Sequence, residues 1–106
     1  MVDEEILEII QKVQKKLIVV EGKKDEKALQ KLGCKNILTL ENKALYEIVE
    51  SITVKEIVLL TDLDCEGKKL YSQLKKMFSQ RGVTIDDRLR LVLFRHKVSH
   101  IEGLHE

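Results

Sequence analysis

Two stretches, "LIVV" at 17–20 and "EIVLL" at 56–60, the second apolar throughout after Glu56, constrain this chain more than any other feature. Neither alternates with polar residues. A strand wetted on one face alternates; a strand covered on both faces does not. Their β-branched residues favour strand over helix. Around these runs the apolar period lengthens. Residues 3–14 set Ile6, Ile9, Ile10 and Val13 on one helical face, with Asp3, Glu4 and Glu5 at the end where a helix favours negative charge. Residues 25–32 set Ala28, Leu29 and Leu32 inward, and Gly33 is placed to end that helix. "NILTL" (36–40) is a short strand, and Asn42 is placed to cap a helix carrying Ala44, Leu45, Ile48 and Val49. Residues 66–80 form the clearest helix, with Leu70, Leu74, Met77 and Phe78 on one stripe and Arg81-Gly82 as its stop. "RLRLVLF" (88–94) is the fourth predicted strand, its alternating first half suiting a sheet edge.

The order is therefore α-β-α-β-α-β-α-β. Such alternation with short links predicts the α/β class: a Rossmann-like open parallel sheet of about four strands flanked by helices. The 106 residues fit one domain, 1–106, with 1–14 as an N-terminal helix packed on it and 95–106 as a C-terminal tail. The apolar stripe of the first helix covers either its own sheet or that of a second copy, the latter making a homodimer. A content of 43 % hydrophobic and 35 % charged residues, without proline or tryptophan, excludes a disordered chain. A net charge of +1 gives no global positive field, so contact with nucleic acid would need a local patch or a cation. Cys34 and Cys65 make no zinc-binding spacing and are read as free thiols. No apolar run reaches membrane-spanning length and the N-terminus does not read as a signal peptide, so the cytoplasm and no membrane partner are expected.

Open parallel sheets bind ligands beyond the carboxyl ends of their strands. Glu21 follows the first strand; Asp62 and Asp64 follow the third. In extended chain Asp62 and Asp64 point the same way. Converging carboxylates repel unless a proton or cation sits among them, and hard oxygen donors suit magnesium. Gly22 and Gly67 allow tight turns or close approach to a phosphate, and helices starting near Lys23 and Glu66 offer free amides to an anion. A plainer reading stands beside this one. Asp62 or Asp64 caps the following helix, Glu21 pairs with Lys23 or Lys24, and Asp25 is an acid at a helix start. The chain has no GxxxxGK[ST] and no GxGxxG. A phospho-acceptor domain would want a lysine after a later strand, for which Lys97 is a loose candidate. An aspartyl phosphatase would place its D-x-D after the first strand, ahead of a hydroxyl residue rather than Cys65-Glu66.

Taken together, "VVEGKKD" (19–25) and "LTDLDCEGKKL" (60–70) resemble the glutamate motif and the D-x-D-x-x-G motif of the Toprim domain. That fold is shared by topoisomerases, bacterial-type primases, ribonuclease M5 and related nucleases. The resemblance runs from about residue 15 to 95. "FRHKVSHIEGL" (94–104) is similar to the end of small stand-alone archaeal Toprim proteins grouped as primase-like or ribonuclease M5-like, which often run longer than this chain. The resemblance implies Glu21 as the catalytic general acid or base and as a metal ligand. It implies Asp62 and Asp64 as ligands of Mg2+, Gly22 and Gly67 as phosphate-facing turns, Asp25 as support, and Lys68 as the basic residue after the motif glycine. Lys23 is a further candidate phosphate contact. Neither the tyrosine-bearing domain of a topoisomerase nor the polymerase domain of a primase is expected from these 106 residues, and Tyr46 and Tyr71 are read as packing residues.

Arg88, Arg90, Arg95, His96, Lys97 and His100 concentrate positive charge late in the chain. If 88–94 is a parallel strand, Arg95 and Lys97 follow it at the same sheet edge as the acids, where they would hold a nucleic-acid backbone. The functional expectation is a Mg2+-dependent phosphodiester enzyme acting on RNA or DNA. A non-catalytic nucleic-acid-binding or adaptor module and a phosphate-responsive signalling domain are the alternatives.

Overall fold

The computed structural model describes residues 3–104; residues 1, 2, 105 and 106, at the outer ends of the predicted N-terminal helix and tail, lie outside it. Helix α1 (Glu4–Val13) leads into strand β1 (Ile18–Val20), then α2 (Lys23–Lys31), β2 (Ile37–Thr39), α3 (Leu45–Ser51), β3 (Glu56–Leu60), α4 (Cys65–Gln80), β4 (Thr84–Ile85) and α5 (Arg88–Arg95). A 3-10 turn follows at Ile101–Gly103. The strands form one parallel sheet in the order β2-β1-β3-β4. Val19 sits beside Leu38 on one side and Leu59 on the other.

The missing alternation in β1 and β3 has the predicted cause. Ile18, Val20, Val58 and Leu60 enter one core with α1, α2 and α5, whereas Val19, Ile57 and Leu59 enter a second core with α3 and α4. Each strand feeds both layers, so after the exposed Glu56 that opens β3 polar residues have no place in it. Leu29, Leu74, Phe78 and Leu89 are completely buried, each such side chain contributing about 2–3 kcal/mol. The stripe of α1 is covered within the chain, where Ile6, Ile10 and Val13 join the first core beside Leu89, Val92 and Leu93 of α5. Gly33 has φ +100° and closes α2 in the left-handed conformation that glycine adopts without strain.

Three sequence readings are corrected. Residues 88–94 are not a strand: Arg88–Arg95 is helix α5, and the fourth strand is Thr84–Ile85. In "RLRLVLF" the alternation covers only the first four positions. The buried leucines and valine, Leu89, Val92 and Leu93, follow the helical i, i+3, i+4 spacing, while Leu91 and Phe94 face solvent. Asn42 does not cap α3; it adopts a left-handed φ of 60° in the preceding turn, and Ala44 is the cap residue. Tyr46, expected to pack, is 60 % exposed on α3, whereas Tyr71 is half-buried on α4.

Candidate functional site

The chain leaves β1 towards β2 on one side, but leaves β3 towards β4 on the other. The carboxyl ends of these two neighbouring strands therefore open between diverging connections, the usual ligand position of an open α/β sheet. Glu21 stands at one end and Asp62 and Asp64 at the other.

The two aspartates are each held by one oxygen. Asp62 Oδ1 accepts the Ile101 N–H at 2.9 Å, and Asp64 Oδ1 accepts the Gly67 N–H at 2.7 Å as the N-cap of α4. Their other oxygens face His100: Oδ2 of Asp62 lies 3.5 Å from its Nδ1, and Oδ2 of Asp64 lies 3.9 Å from it. Asp62, Asp64 and His100 can each offer one ligand atom, all within 4.8 Å of one another. Residues 61–64 are not strand, yet the two carboxylates still face one place. The helix-cap reading of Asp64 holds as well, because one oxygen caps and the other remains for a cation.

This loop depends on close backbone packing. A Cβ on Gly67 would lie 2.0 Å from the Asp62 carbonyl oxygen, so only glycine lets the first turn of α4 approach the loop. Thr61 is fully buried and donates its hydroxyl to the Gly67 carbonyl at 2.7 Å. From behind, the buried Arg90 of α5 donates to the Thr61 carbonyl at 2.6 Å and stacks 4.1 Å from the Tyr71 ring centroid. Burial holds its guanidinium pKa below the ordinary value, against the opposing pull of Tyr71, Glu21 and Asp62. Arg90 thus fixes the loop and is not an open phosphate contact.

Glu21 adjoins the aspartate–histidine cluster without joining it. Its Oε2 accepts the Asp62 N–H at 2.7 Å. Burial raises its pKa, as do the charges of Asp62, Asp64 and Glu66, while the Asp62 N–H opposes the rise. Asp25 is buried, and its Oδ2 accepts the Gly22 N–H at 3.0 Å. Burial first, then the charges of Asp62, Glu21 and Glu102, push Asp25 up to about 6 against that hydrogen bond. Glu21, Asp25, Glu41, Asp62 and Glu102 line a cleft of about 410 Å3 together with Lys23 and Lys24.

The predicted basic contacts separate. Arg95 donates to Glu5 of α1 at 2.8 Å, and His96 contacts the same carboxylate. The parallel-strand argument that carried Arg95 to the acidic edge no longer applies, since its segment is helix α5. Lys97 lines a small hollow with Leu63 of the D-x-D loop, and Lys68 lies over the Phe94 ring. Asp3, Glu5 and His96 form a second, exposed group able to hold a cation. His100, Arg90 and Thr61 were not among the predicted site residues. His100 comes from a chain reversal that no local pattern announces. Arg90 carried one available signal, its place on the buried i, i+3 face of a helix.

The Toprim domain model matches residues 16–95. The chain belongs to the Toprim-domain family. It is related to UPF0292 proteins: one from Methanocaldococcus jannaschii is 32 % identical over 95 % of this chain and 85 % of its own length. Another, from Pyrococcus abyssi, is 33 % identical over 84 % of this chain and 69 % of its own length. A solved structure of a protein from Aquifex aeolicus superposes with a TM-score of 0.84 at 32 % identity, covering 92 % of this chain and 94 % of that one.

Proposed function

We propose that this Toprim protein is a magnesium-dependent phosphodiester enzyme acting on RNA or DNA in the cytoplasm, nuclease-like or primase-like. One observation carries the reading. Asp62 and Asp64 are each anchored through one oxygen by a backbone N–H, leaving the second oxygens together at His100 beside Glu21. Two carboxylate oxygens at one place fit a hard divalent cation, which keeps water and phosphate as its remaining ligands. Such an ion would neutralise phosphate charge and lower the pKa of a bound water.

The side chains of the site supply the rest. Glu21, held by the Asp62 N–H through one oxygen, has its second oxygen for a proton from the attacking water or hydroxyl. Gly22 and Gly67 keep the two turns slim, and Asp25 fixes the first turn through the Gly22 N–H. Lys23 and Lys68, with Lys97 beside the loop, are proposed to bind phosphates flanking the reacting one. Lys24, Lys27 and Lys31 continue along one face of α2 from the cleft and extend that positive track.

The same lysine row supports the second reading, a module that binds nucleic acid without cutting it. A screen of structured RNAs, single strands and nicked duplexes with magnesium or EDTA separates the two. Magnesium-dependent cleavage that disappears in Asp62→Asn and Asp64→Asn supports the enzyme. Binding without turnover supports the module, and cleavage unchanged in both variants removes the proposed metal site.

A further inference from the structure

Around Leu63 of the D-x-D loop the surface changes character. Phe94, near the end of α5, is 55 % exposed although it is a large aromatic residue. It forms a wall shared by two hollows. One, of about 340 Å3, also contains Leu63, Lys68, Tyr71, Lys75 and Asp87; the other, of about 160 Å3, contains Leu63, Lys97 and Ser99. Leu63 lies between the two aspartates of the motif, and its N–H donates to the Ser99 carbonyl at 2.7 Å. The hollows and the candidate metal centre thus share one loop.

The ring is set among cations. Lys68 Nζ lies 5.3 Å from the Phe94 centroid, Lys75 Nζ lies 5.9 Å from the Tyr71 centroid, and Lys97 lines the second hollow. Asp87 is the only carboxylate lining the two hollows among the described residues. An exposed aromatic ring with Lys68 over it and further lysines lining the adjoining hollows matches a single strand of nucleic acid, whose flat bases alternate with phosphates. A second copy of the chain matches it poorly. A two-fold contact sets the same patch on both sides, so these lysines would face each other.

We propose that Phe94 is a stacking platform for an unpaired base next to the reacting phosphate, with Lys68, Lys75 and Lys97 holding the neighbouring backbone. Leu63 fixes the distance from platform to metal centre, and Asp87 offers an acceptor to the edge of the bound base. The inference rests on the nucleic-acid reading and narrows its substrate: the strand entering this side is single.

The test uses single strands of ~12 nucleotides, one RNA and one DNA, carrying 2-aminopurine, whose fluorescence falls when it stacks. They are titrated with the full chain in magnesium, and strand integrity is checked on a gel. Wild type should quench the probe. Phe94→Leu, which keeps an apolar side chain without a ring, should lose the quench and bind about 10- to 100-fold more weakly. Phe94→Tyr should restore both. Equal quench and affinity in Phe94→Leu would overturn the platform, as would absence of binding. A wild-type dimer that Phe94→Leu dissociates would assign the face to a second copy and also overturn it. Asp62→Asn separates the two proposals: it should abolish magnesium-dependent cleavage and leave the quench. Quench without cleavage in wild type would keep the platform and remove the enzyme; cleavage lost in Asp62→Asn but insensitive to Phe94→Leu would keep the enzyme and remove the platform.

Discussion

The carboxylate of Glu21 accepts the backbone N–H of Asp62 at 2.7 Å, joining the end of β1 to the loop after β3. Two motifs separated by some forty residues meet through this bond. It also divides the two oxygens of Glu21, one structural and the other open to chemistry.

That division makes Glu21→Gln informative. A glutamine oxygen still accepts the Asp62 N–H, and removal of one negative charge relieves repulsion from Asp62 and Asp64. Stability should stay within about 1 kcal/mol of wild type by denaturant unfolding. If Glu21 carries the proton as proposed, cleavage should fall by about 100-fold or more. Wild-type turnover by this variant would take Glu21 out of the chemistry.

Gly67→Ala should be costly where a helix normally welcomes alanine. The new Cβ would meet the Asp62 carbonyl oxygen at 2.0 Å and its carbon at 2.6 Å, and backbone cannot swing aside. A loss of about 1–3 kcal/mol is expected, with weakened magnesium binding because the Asp62 loop must shift. Gly22→Ala is the control. Its Cβ would meet only the end of the Glu41 side chain, at 2.7 Å, which can rotate away, so the change should stay within about 0.5 kcal/mol. Equal losses in the two variants would contradict the packing argument.

Asp25 should make the metal-free protein less stable as pH rises. Its carboxyl titrates at about 6 in the fold against an ordinary value of 3.8, chiefly through burial. Between these values the folded protein holds more protons than the unfolded chain. The Asp25 contribution is therefore fully present below pH 3.8 and is lost as pH rises through about 6. Asp25→Asn keeps an acceptor for the Gly22 N–H and removes the titration. In EDTA at pH 7 the variant should be more stable than wild type by about 3 kcal/mol, and the difference should vanish towards pH 4. A difference that does not change over that range would rule out the buried acid as its source.

His100 should bias the choice of cation. An imidazole nitrogen beside two carboxylates suits manganese better than magnesium. His100→Ala should lower manganese affinity by about 10-fold in calorimetric titration, with a smaller change for magnesium. An equal loss for both ions would make His100 a hydrogen-bonding neighbour of Asp62 instead of a ligand.

The parts of the fold readable in advance were those with long, clean periods. Helix α4 spans sixteen residues and four turns of apolar stripe, and β3 is covered on both faces. The fourth strand has two residues, too few to show any period, and the alternating "RLRL" after it imitated the strand that had just passed. What distinguished α5 was the partner it needed. Leu89, Val92 and Leu93 fill the layer between α1 and the sheet, and a strand would have carried Arg90 and Val92 to the same side.

Residue chemistry and order were determined by the sequence: which acids follow which strands, which glycines follow the acids, and that the strands are covered on both faces. Those follow from local periods and from the rule that ligands gather at strand ends. The tertiary structure decided which oxygens remain available. The strand order brings β1 against β3, and so Glu21 against Asp62. The turn at Ile101–Gly103 brings His100 onto both aspartates, and Arg90 is taken into the interior to hold Thr61. Each of these contacts joins residues far apart in the chain. Their positions are set by filling the space on both faces of the sheet, which no short stretch of sequence contains.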